Sequence, residues 1–350
     1  MKFKLSEISK ISNGKKAVFY DDGTVPVYGA NGPIGTTQNS KYNVGDIVIG
    51  RVGANAGAVH RPISNFWASD NTMVVTPGER VRSEYLTWLL QKTNFNQMTS
   101  GSAQPLLNQD ILNSIDFEIP GLSEQDYVIS VIEPFENQMG VLTSINDNLT
   151  ELITVMFNQS KDAWPTAALG SLLHPESKSI KKKEQKKARF LNTGDVTNGV
   201  FENVDLSDTD SMPGQAKKLI NRDDILYSEI RPVNRHFGLV RLDKPEEYVV
   251  STKLMVLRRN EDVQLPVEYL YFLLTSAAMI REMQFEAESR SGTFPQITFD
   301  VIKGYQVPVP PTNHPILGLI KTAINNKIDN DTESALLAET RDTLLNELLH

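Results

Sequence analysis

The longest regular pattern of hydrophobic and polar positions in the chain runs from Leu122 to Ser160. Apolar residues recur there at alternating spacings of three and four positions, which is the spacing of a coiled-coil seam. The predicted seam consists of Val128, Val131, Phe135, Met139, Leu142, Ile145, Leu149, Leu152 and Met156. Pro134 removes one backbone hydrogen bond, so we expect a kink or a restart of this helix near Glu133. A helix of this length with one apolar seam needs a packing partner.

A second periodic run lies between Thr312 and His350. Its apolar positions are Leu317, Ile320, Ile324, Ile328, Leu337, Leu344, Leu345 and Leu348. The two runs match at a constant offset. The matched segments are Phe117–Pro120 with Tyr305–Pro308, and Leu149–Gln159 with Leu337–Glu347. Ordinary core packing would explain each helix alone, whereas a matched pair favours a spacer of two packed helices, parallel or antiparallel.

The segment before the first long helix has the pattern of a small domain with short strands. It opens with an amphipathic piece at Leu5–Ile8 and continues through a glycine-rich segment at Val25–Pro62. Short apolar runs bounded by turn dipeptides such as Asn31-Gly32 indicate strands. The predicted elements are strands at Val25–Tyr28, Ile47–Ile49, Thr72–Val75 and Phe117–Ile119, and a helix at Ser83–Gln91.

The segment between the two long helices repeats this plan, with landmarks in the same order. The matched landmarks are Gly45–Arg51 with Asp223–Arg231 around Asp46 and Asp224, Ser69–Val75 with Ser251–Leu257, Tyr85–Gln91 with Tyr269–Thr275, and Gly101–Pro105 with Ser291–Gln296. The intervening loops, Arg51–Pro62 and Arg231–Arg241, occupy the same slot with different residues. Two copies of one scaffold with unlike loops suit the reading of two different short ligands. A double-stranded polymer with a bipartite sequence is the natural target.

These patterns together predict an α+β fold with an internal pseudo-two-fold repeat. Two structurally similar α/β domains are expected to be separated by two long helices that pack together as a coiled-coil spacer. The predicted boundaries are 1–121 for the first domain, 122–160 for the central spacer helix, 163–309 for the second domain and 310–350 for the C-terminal spacer helix.

Composition narrows the class of protein. The chain has 350 residues, of which 40% are hydrophobic, so it can bury the cores of two domains. It has no cysteine, which excludes disulfides and thiol chemistry. No apolar run reaches the length of a membrane span and no signal peptide is recognisable, so we expect a cytoplasmic protein without membrane contact. The net charge of −8 argues weakly against nucleic acid, but local basic patches decide such binding.

At these residues the sequence resembles the specificity (S) subunit of type I restriction–modification systems. The motifs that carry the resemblance are VYGANGPIGTTQ, GDIVIGRVGANAGAV, FWASDNTMVV, GSAQPLLNQDI and FEIPGLSEQDYVISVIEPF. The resemblance implies two target recognition domains, each reading one half of an asymmetric bipartite DNA target, with the helices setting the spacing. It also implies partners: two modification (methyltransferase) subunits and, for cleavage, restriction (motor-nuclease) subunits. A scaffold or decoy that binds methyltransferase subunits without reading DNA remains the alternative.

Catalytic motifs are absent from the sequence. No Asn-Pro-Pro-Tyr or Asp-Pro-Pro-Tyr turn, no Pro-Asp dipeptide and no Walker loop occurs, and the five histidines show no metal-binding spacing. We therefore expect a chain that is not catalytic alone and that holds no cofactor or metal. S-adenosylmethionine, ATP and Mg would belong to the partner subunits of a DNA adenine methyltransferase and site-specific endonuclease.

The candidate DNA contacts are basic and polar side chains on predicted loops, because such side chains hold phosphates and read bases. In the second domain they are Lys181, Lys182, Lys183, Lys186 and Lys187 as a phosphate clamp, and Arg231, Asn234, Arg235 and His236 as base readers. In the first domain the corresponding loop supplies Arg51, Asn55, His60 and Arg61, with Ser102 and Gln104 and their counterpart Arg290 as further candidates. A solvated lysine-rich loop and a glycine-dictated turn are the bland alternatives.

The exposed faces of the predicted spacer helices carry few basic residues. They hold acidic residues such as Glu136, Asp147, Glu151 and Glu339. This charge pattern argues against DNA contact along the helices and leaves a solvated face or a docking surface for modification subunits.

Overall fold

The computed structural model describes residues 1–95, 98, 106–290 and 296–349 of the chain. These residues form two compact units: unit 1 comprises Met1–Gln138 and Leu337–His350, and unit 2 comprises Met139–Leu336. The division between the units falls within each of the two long helices.

Unit 1 is built from short strands and helices in the predicted order. Its strands are β1 (Lys2–Lys4), β2 (Ser9–Asn13), β3 (Val25–Gly29), β4 (Gly32–Thr37), β5 (Ile47–Gly50), β6 (Val59–His60), β7 (Trp67–Ala68), β8 (Thr72–Pro77) and β9 (Asp116–Glu118). Its helices are α1 (Leu5–Ile8), α2 (Ser83–Lys92), α3 (Gln109–Ser114) and the long helix α4 (Leu122–Ser160), which continues into unit 2.

The position of each strand in the sheets of unit 1 explains why some strands have an unbroken run of apolar residues. One sheet has the order β2-β8-β5-β6 with antiparallel pairing, another has the order β4-β3-β7, and β1 pairs with β9. Strand β5 is interior and fully buried, which is why it reads as an unbroken apolar run. Helix α2 covers this sheet with Tyr85, Leu86 and Trp88, which are at most 1% exposed.

Unit 2 contains a second set of elements. Its strands are β10 (Thr166–Ala168), β11 (Leu173–Glu176), β12 (Lys187–Leu191), β13 (Val196–Thr197), β14 (Val200–Phe201), β15 (Leu206–Asp208), β16 (Ala216–Leu219), β17 (Ile225–Ser228), β18 (Phe237–Leu239), β19 (Tyr248–Ser251), β20 (Leu254–Arg259) and β21 (Gln306–Pro308). Its helices are α5 (Leu169–Leu172), α6 (Val267–Thr275), α7 (Ala277–Arg290), α8 (Phe299–Ile302) and the long helix α9 (Pro315–Leu348), which continues into unit 1.

The topology of unit 2 repeats that of unit 1. The sheet β11-β20-β17-β18 has the same order as β2-β8-β5-β6, and the pair β10 and β21 corresponds to β1 and β9. The parallel pairing of β12 with β19 corresponds to that of β3 with β7. The predicted α+β fold with two similar domains is therefore confirmed.

An aspartate fixes the entry to the central strand in both units. The Asp46 carboxylate accepts a hydrogen bond from the Asn43 N–H at 3.0 Å, and the Asp224 carboxylate accepts one from the Asn221 N–H at 2.7 Å. Both aspartates are buried, at 7% and 0% exposure. In unit 2 the Arg258 guanidinium also holds Asp224, with nitrogen–oxygen distances of 2.7 and 2.9 Å. Hydrogen bonds to a buried carboxylate thus fix the turn before β5 and the turn before β17.

The two long helices pack on each other, and within unit 2 they run antiparallel. The Asn146 amide donates a hydrogen bond to the Asp331 carboxylate at 2.8 Å, while Thr150, one turn further along α4, contacts Lys327 of α9. As α4 advances, its partner in α9 moves back by the same number of residues. The predicted helix pair is confirmed, and the choice between parallel and antiparallel packing is resolved for this unit.

The buried seam of α4 differs from the predicted one. Ile132, Asn146, Ile153 and Phe157 are buried, at no more than 8% exposure. The predicted positions one residue earlier are partly or largely exposed: Val131 is half-buried, and Ile145, Leu152 and Met156 are 42%, 47% and 40% exposed. The prediction was wrong by one residue at these four positions, and an apolar stripe is left on the surface of α4.

Helix α4 does not restart near Glu133, because it is one continuous helix, and the alternative of a kink stays a prediction. Pro134 lies inside it on an exposed face. The carbonyl that loses its helical partner belongs to Ser130, which is exposed too, so water can replace the missing bond.

Candidate nucleic-acid interface

The loop after β5 in unit 1 and the loop after β17 in unit 2 differ in sequence. They share their length and the backbone hydrogen bond that closes them. The Gly50 N–H donates to the Ala58 carbonyl at 2.8 Å, and the Ser228 N–H donates to the His236 carbonyl at 2.8 Å. These bonds close loops of equal length, residues 51–57 in unit 1 and 229–235 in unit 2. A short 3-10 turn lies inside each loop, at Gly53–Asn55 and at Pro232–Asn234.

Both loops turn twice through left-handed backbone at matching positions. In unit 1 those positions hold glycine, with φ of 76° at Gly53 and 91° at Gly57. In unit 2 they hold arginine, with φ of 47° at Arg231 and 56° at Arg235. Left-handed backbone costs an L-residue roughly 1–2 kcal/mol, whereas glycine adopts it freely. The second loop therefore keeps two arginines where its own fold would favour glycine, and such strain concentrates at functional sites.

The side chains of the second loop face solvent above an aromatic floor. Arg231, Asn234 and Arg235 are exposed, whereas His236 is half-buried with its Nδ1 3.0 Å from the Thr197 hydroxyl. Below them, burial raises the pKa of Tyr227, and the Arg235 charge opposes that rise. Three of the four predicted base readers are thus brought together on one exposed loop, and His236 braces it.

The side chains of the first loop are placed less uniformly. Asn55 is exposed at the end of the 3-10 turn. Arg51 is half-buried, and its Nε has no hydrogen-bond partner within the described ranges. The His60 ring Nε2 lies 3.2 Å from the Ala30 carbonyl, so this histidine braces the loop from strand β6.

Arg61 is tied into the scaffold. Its guanidinium donates to the Glu84 carboxylate at 2.8 Å and to the Glu136 carboxylate at 2.9 Å, and Glu136 also accepts the Trp88 Nε1–H at 2.8 Å. Glu136 therefore points into this cluster and does not lie on a purely solvated face as the sequence indicated. The DNA contact assigned to Arg61 stays a prediction that no observation tests, and its charge is already paired here.

Unit 2 repeats this clamp. The Arg241 guanidinium pairs with Asp223 and donates to the Glu268 carboxylate at 2.8 Å. The Asn325 amide of α9 lies 3.4 Å from the same carboxylate. Burial lowers the pKa of Arg241, and the Glu268 carboxylate opposes that shift. The sequence did not predict this pair of clamps, although the matched helices α2 and α6 place Glu84 and Glu268 at equivalent positions.

The lysine-rich segment of unit 2 forms an open surface beside strand β12. Lys181 makes an exposed ion pair with Glu184 at 3.1 Å, which contributes little stability. Lys183, Lys186 and Lys187 are exposed and Lys182 is half-buried. The segment is available to an anion, and its predicted phosphate contact remains untested.

Three predicted contacts fall where the structure gives no side-chain description. Ser102 and Gln104 lie outside the described residues, and the side chain of Arg290, at the end of α7, is not described either. Within the part of the chain that is described, no group of three histidine, aspartate or glutamate side chains could hold a metal ion. Nor does any described helix have the length and hydropathy needed to cross a bilayer.

Comparison with known proteins agrees with this architecture. The type I restriction modification DNA specificity domain matches residues 1–151 and again residues 162–338. The chain therefore belongs to the family of type I restriction–modification specificity subunits, and it contains two copies of the family's domain.

Individual relatives are less complete matches. The HindI specificity subunit of Haemophilus influenzae is 41% identical over 172 residues, which is 49% of this chain and 37% of that protein. The EcoprrI specificity subunit of Escherichia coli is 27% identical over 121 residues, which is 35% of this chain and 30% of that protein. The chain thus matches about a third of the length of these two relatives.

A solved structure shares the fold over the whole chain. The S subunit of a type I restriction-modification system from M. genitalium superposes with a TM-score of 0.60 at 13% identity, covering 100% of this chain and 96% of that one. At this level of identity the likeness shows a common fold.

Proposed function

We propose that this chain reads a bipartite, asymmetric double-stranded DNA target, with each recognition domain contacting one half-site through the loop after its central strand. The observation that carries the proposal is the pair of arginines held in left-handed backbone at Arg231 and Arg235, where the other copy has glycine. A folding requirement alone would select glycine there, so the guanidinium groups supply the reason for the strain.

The chemistry of the two loops suits different bases. Arginine donates in a bidentate fork to guanine in the major groove, and asparagine pairs with adenine in the same way. The second loop offers two exposed arginines and Asn234, whereas the first loop offers Asn55 and glycines that let backbone N–H groups approach a phosphate. One frame with two sets of side chains accounts for an asymmetric target.

Rigid supports hold the ends of each loop. The aspartate turn precedes the central strand, and the arginine clamps at Arg61 and Arg241 follow the next strand. A recognition loop that is already ordered in the free protein loses less conformational entropy when it binds DNA. The clamps therefore contribute to recognition by positioning, whether or not their arginines touch DNA.

The partners of this chain are also part of the proposal. Methyl transfer and cleavage would be carried out by modification and restriction subunits, which would bring S-adenosylmethionine, ATP and Mg, and the assembly would work in the cytoplasm. The exposed apolar stripe of α4 supports docking of another protein, because exposed apolar patches of this kind mark interfaces. Its members are Val141, Ile145, Leu152, Val155 and Met156, each between 40% and 53% exposed.

The decisive experiment maps methylated sites in cells that carry the partner subunits. Replacing residues 231–236 by the sequence of the first loop should change one half of the methylated motif and leave the other half intact. The reciprocal replacement of residues 53–58 serves as the matched control and should change the other half. A motif that changes in both halves, or in neither, would contradict the modular assignment.

The scaffold alternative is favoured by the net charge of −8 and by the same apolar stripe. A salt titration separates the two. Binding to DNA through phosphates weakens steeply as salt rises, because counterions are released. A chain that assembles with methyltransferase subunits but shows no salt-dependent DNA binding would be a scaffold.

A further inference from the structure

Unit 2 contains a cleft of about 700 Å³ between its recognition loop and the helix pair. One wall is the last part of α4, another is the start of α7, and a third is the loop that carries Arg235. The floor is aromatic and buried: Phe157, Phe237, Tyr271 and Phe272 are 3–8% exposed. The cleft is therefore continuous with the proposed base-reading loop.

Positive charge is concentrated in this cleft. Its lining includes Lys161, Arg235, Arg281 and Lys327, against one carboxylate, Asp147. The surrounding chain is acidic overall, with a net charge of −8. Within the described ranges, Arg235 and Arg281 form no ion pair, and both are exposed. Apart from Arg235, which is proposed to read a base, three cations line the cleft with one carboxylate, whereas the exposed helix faces are mainly acidic.

Lys327 is the residue that places this charge on the spacer helices. It lies in the middle of α9, where its ammonium group contacts the Thr150 hydroxyl and lies 3.4 Å from the Asn146 carbonyl. Burial lowers its pKa, Asp331 and Asp147 oppose that shift, and the neighbouring Arg235 charge adds to it. A second anion in the cleft would relieve the repulsion between these two cations.

The lining also includes amide groups suited to phosphate oxygens. Asn158 lies on the α4 wall and Asn198 lies in the turn between β13 and β14, whereas the Thr150 and Thr154 hydroxyls already donate to backbone carbonyls of α4. Amide groups accompany lysine and arginine in many contacts with a nucleic-acid backbone. A duplex read by the adjoining loop would run its backbone past this cleft, which distinguishes DNA from an unrelated small anion.

We propose that this cleft binds backbone phosphates of the DNA duplex beside the half-site read by the second recognition domain. The inference rests on the proposed function and adds to it a sequence-independent contact in which α9 takes part through Lys327. The sequence predicted that the spacer helices do not contact DNA. Under this proposal that holds for their acidic faces, whereas the face that lines the cleft contacts DNA.

The test uses the full-length chain and fluorescence anisotropy with two probes, a random-sequence duplex and a duplex that carries the methylated motif found by mapping. Arg281→Gln and Lys327→Met should each weaken binding to both probes by the same factor and lower the salt dependence by about one counterion. Asp147→Asn should strengthen binding to both. Lys321→Met is the matched control, because Lys321 lies on the same helix outside the cleft, and it should change nothing.

Phosphate ethylation interference gives a second readout. Ethylation at positions beside the second half-site should block binding of the unmodified chain, and the block should disappear for Arg281→Gln. An unchanged salt dependence with the fold intact would overturn the inference, and so would a loss of assembly with methyltransferase subunits without a change in DNA binding. A chain that binds both probes equally well, yet shows the expected phosphate effects, would overturn the proposed function and leave this inference standing.

Discussion

Replacing Arg231 and Arg235 by glycine should make the protein more stable and less specific at the same time. The two residues hold φ of 47° and 56°. Removing the left-handed strain returns roughly 1–2 kcal/mol per position, and the greater freedom of glycine in the unfolded chain takes back roughly 0.5–1 kcal/mol. The net gain is about 0–1.5 kcal/mol per position, or about 0–3 kcal/mol for the double variant.

No lost ion pair offsets this gain for Arg235, because it forms none within the described ranges and lies beside the like charge of Lys327. Thermal or urea unfolding of the full chain measures it, with attention to the transition of unit 2, since two units need not unfold together. For a domain of this size, about 1 kcal/mol corresponds to about 2–4 °C in Tm. The same variant should lose recognition of the second half-site.

Gly53→Ala in the other loop is the matched control. A Cβ built on Gly53 meets no atom of the described residues within 4 Å, so the substitution reports mainly the backbone strain. It should destabilise unit 1 by about 1 kcal/mol. Gly57 is unsuitable as a control because its Cβ would approach the Phe95 Cβ to 2.6 Å. A double glycine variant that is less stable than the parent, or that still reads both half-sites, would refute the argument that strain marks function here.

Three further substitutions test the scaffold. Arg61→Met leaves the Glu84 and Glu136 carboxylates without their cation and should destabilise unit 1 by about 1–3 kcal/mol. Urea unfolding measures this change, and an unchanged midpoint would mean that these ion pairs do not stabilise unit 1. Asn146→Leu should loosen helix register, which cross-linking between engineered cysteines would detect as mixed pairings, because a buried polar seam residue fixes register through its specific partners, here Asp331 and Asn330. Burial raises the pKa of Asp331, so the folded state holds this proton more tightly than the unfolded state. Stability from this group is present at low pH and is lost as pH rises through the folded pKa, and Asp331→Asn should flatten that dependence.

Much of the fold was predictable from local pattern. Strands such as β5 and β17 are interior, so their apolar runs and the buried aspartates before them survive in both copies. The order of these landmarks sufficed to predict the duplication. The pattern works because strand burial and turn chemistry depend on neighbours close in sequence.

The seam of α4 shows where local pattern stops being sufficient. The helix has two apolar stripes one residue apart, and the rule that a seam is apolar selects the stripe containing Ile145. The buried stripe contains Asn146, whose place is fixed by Asp331 and Asn330 of the distant α9, at 2.8 Å each. A polar seam residue is recognisable only when its partner is known, and that partner is far away in the sequence.

The candidate site was predictable as a loop and not as a set of contacts. Residue type alone predicted a DNA contact for both Arg61 and Arg235. In the structure Arg61 is held by two carboxylates, whereas Arg235 is exposed. The distinguishing signal was available in the sequence once the loops were aligned by length. Arginine stands at Arg231 and Arg235 where the other copy has Gly53 and Gly57, and the proposed base reading rests on that contrast.

The contrast between the loops leads to a prediction about the target itself. Two arginines in left-handed backbone project from one short exposed turn, and arginine's most frequent specific partner is guanine, through O6 and N7. The half-site read by the second domain should therefore contain guanine on one strand, and Arg231→Ala or Arg235→Ala should relax the preference at one base position each, by about 1–3 kcal/mol. The first loop has glycine at both positions, so its half-site should not depend on guanine in this way. Mapping methylated motifs for the parent and the two single variants measures this, and a second half-site composed only of adenine and thymine would show that the arginines hold phosphates and do not read bases.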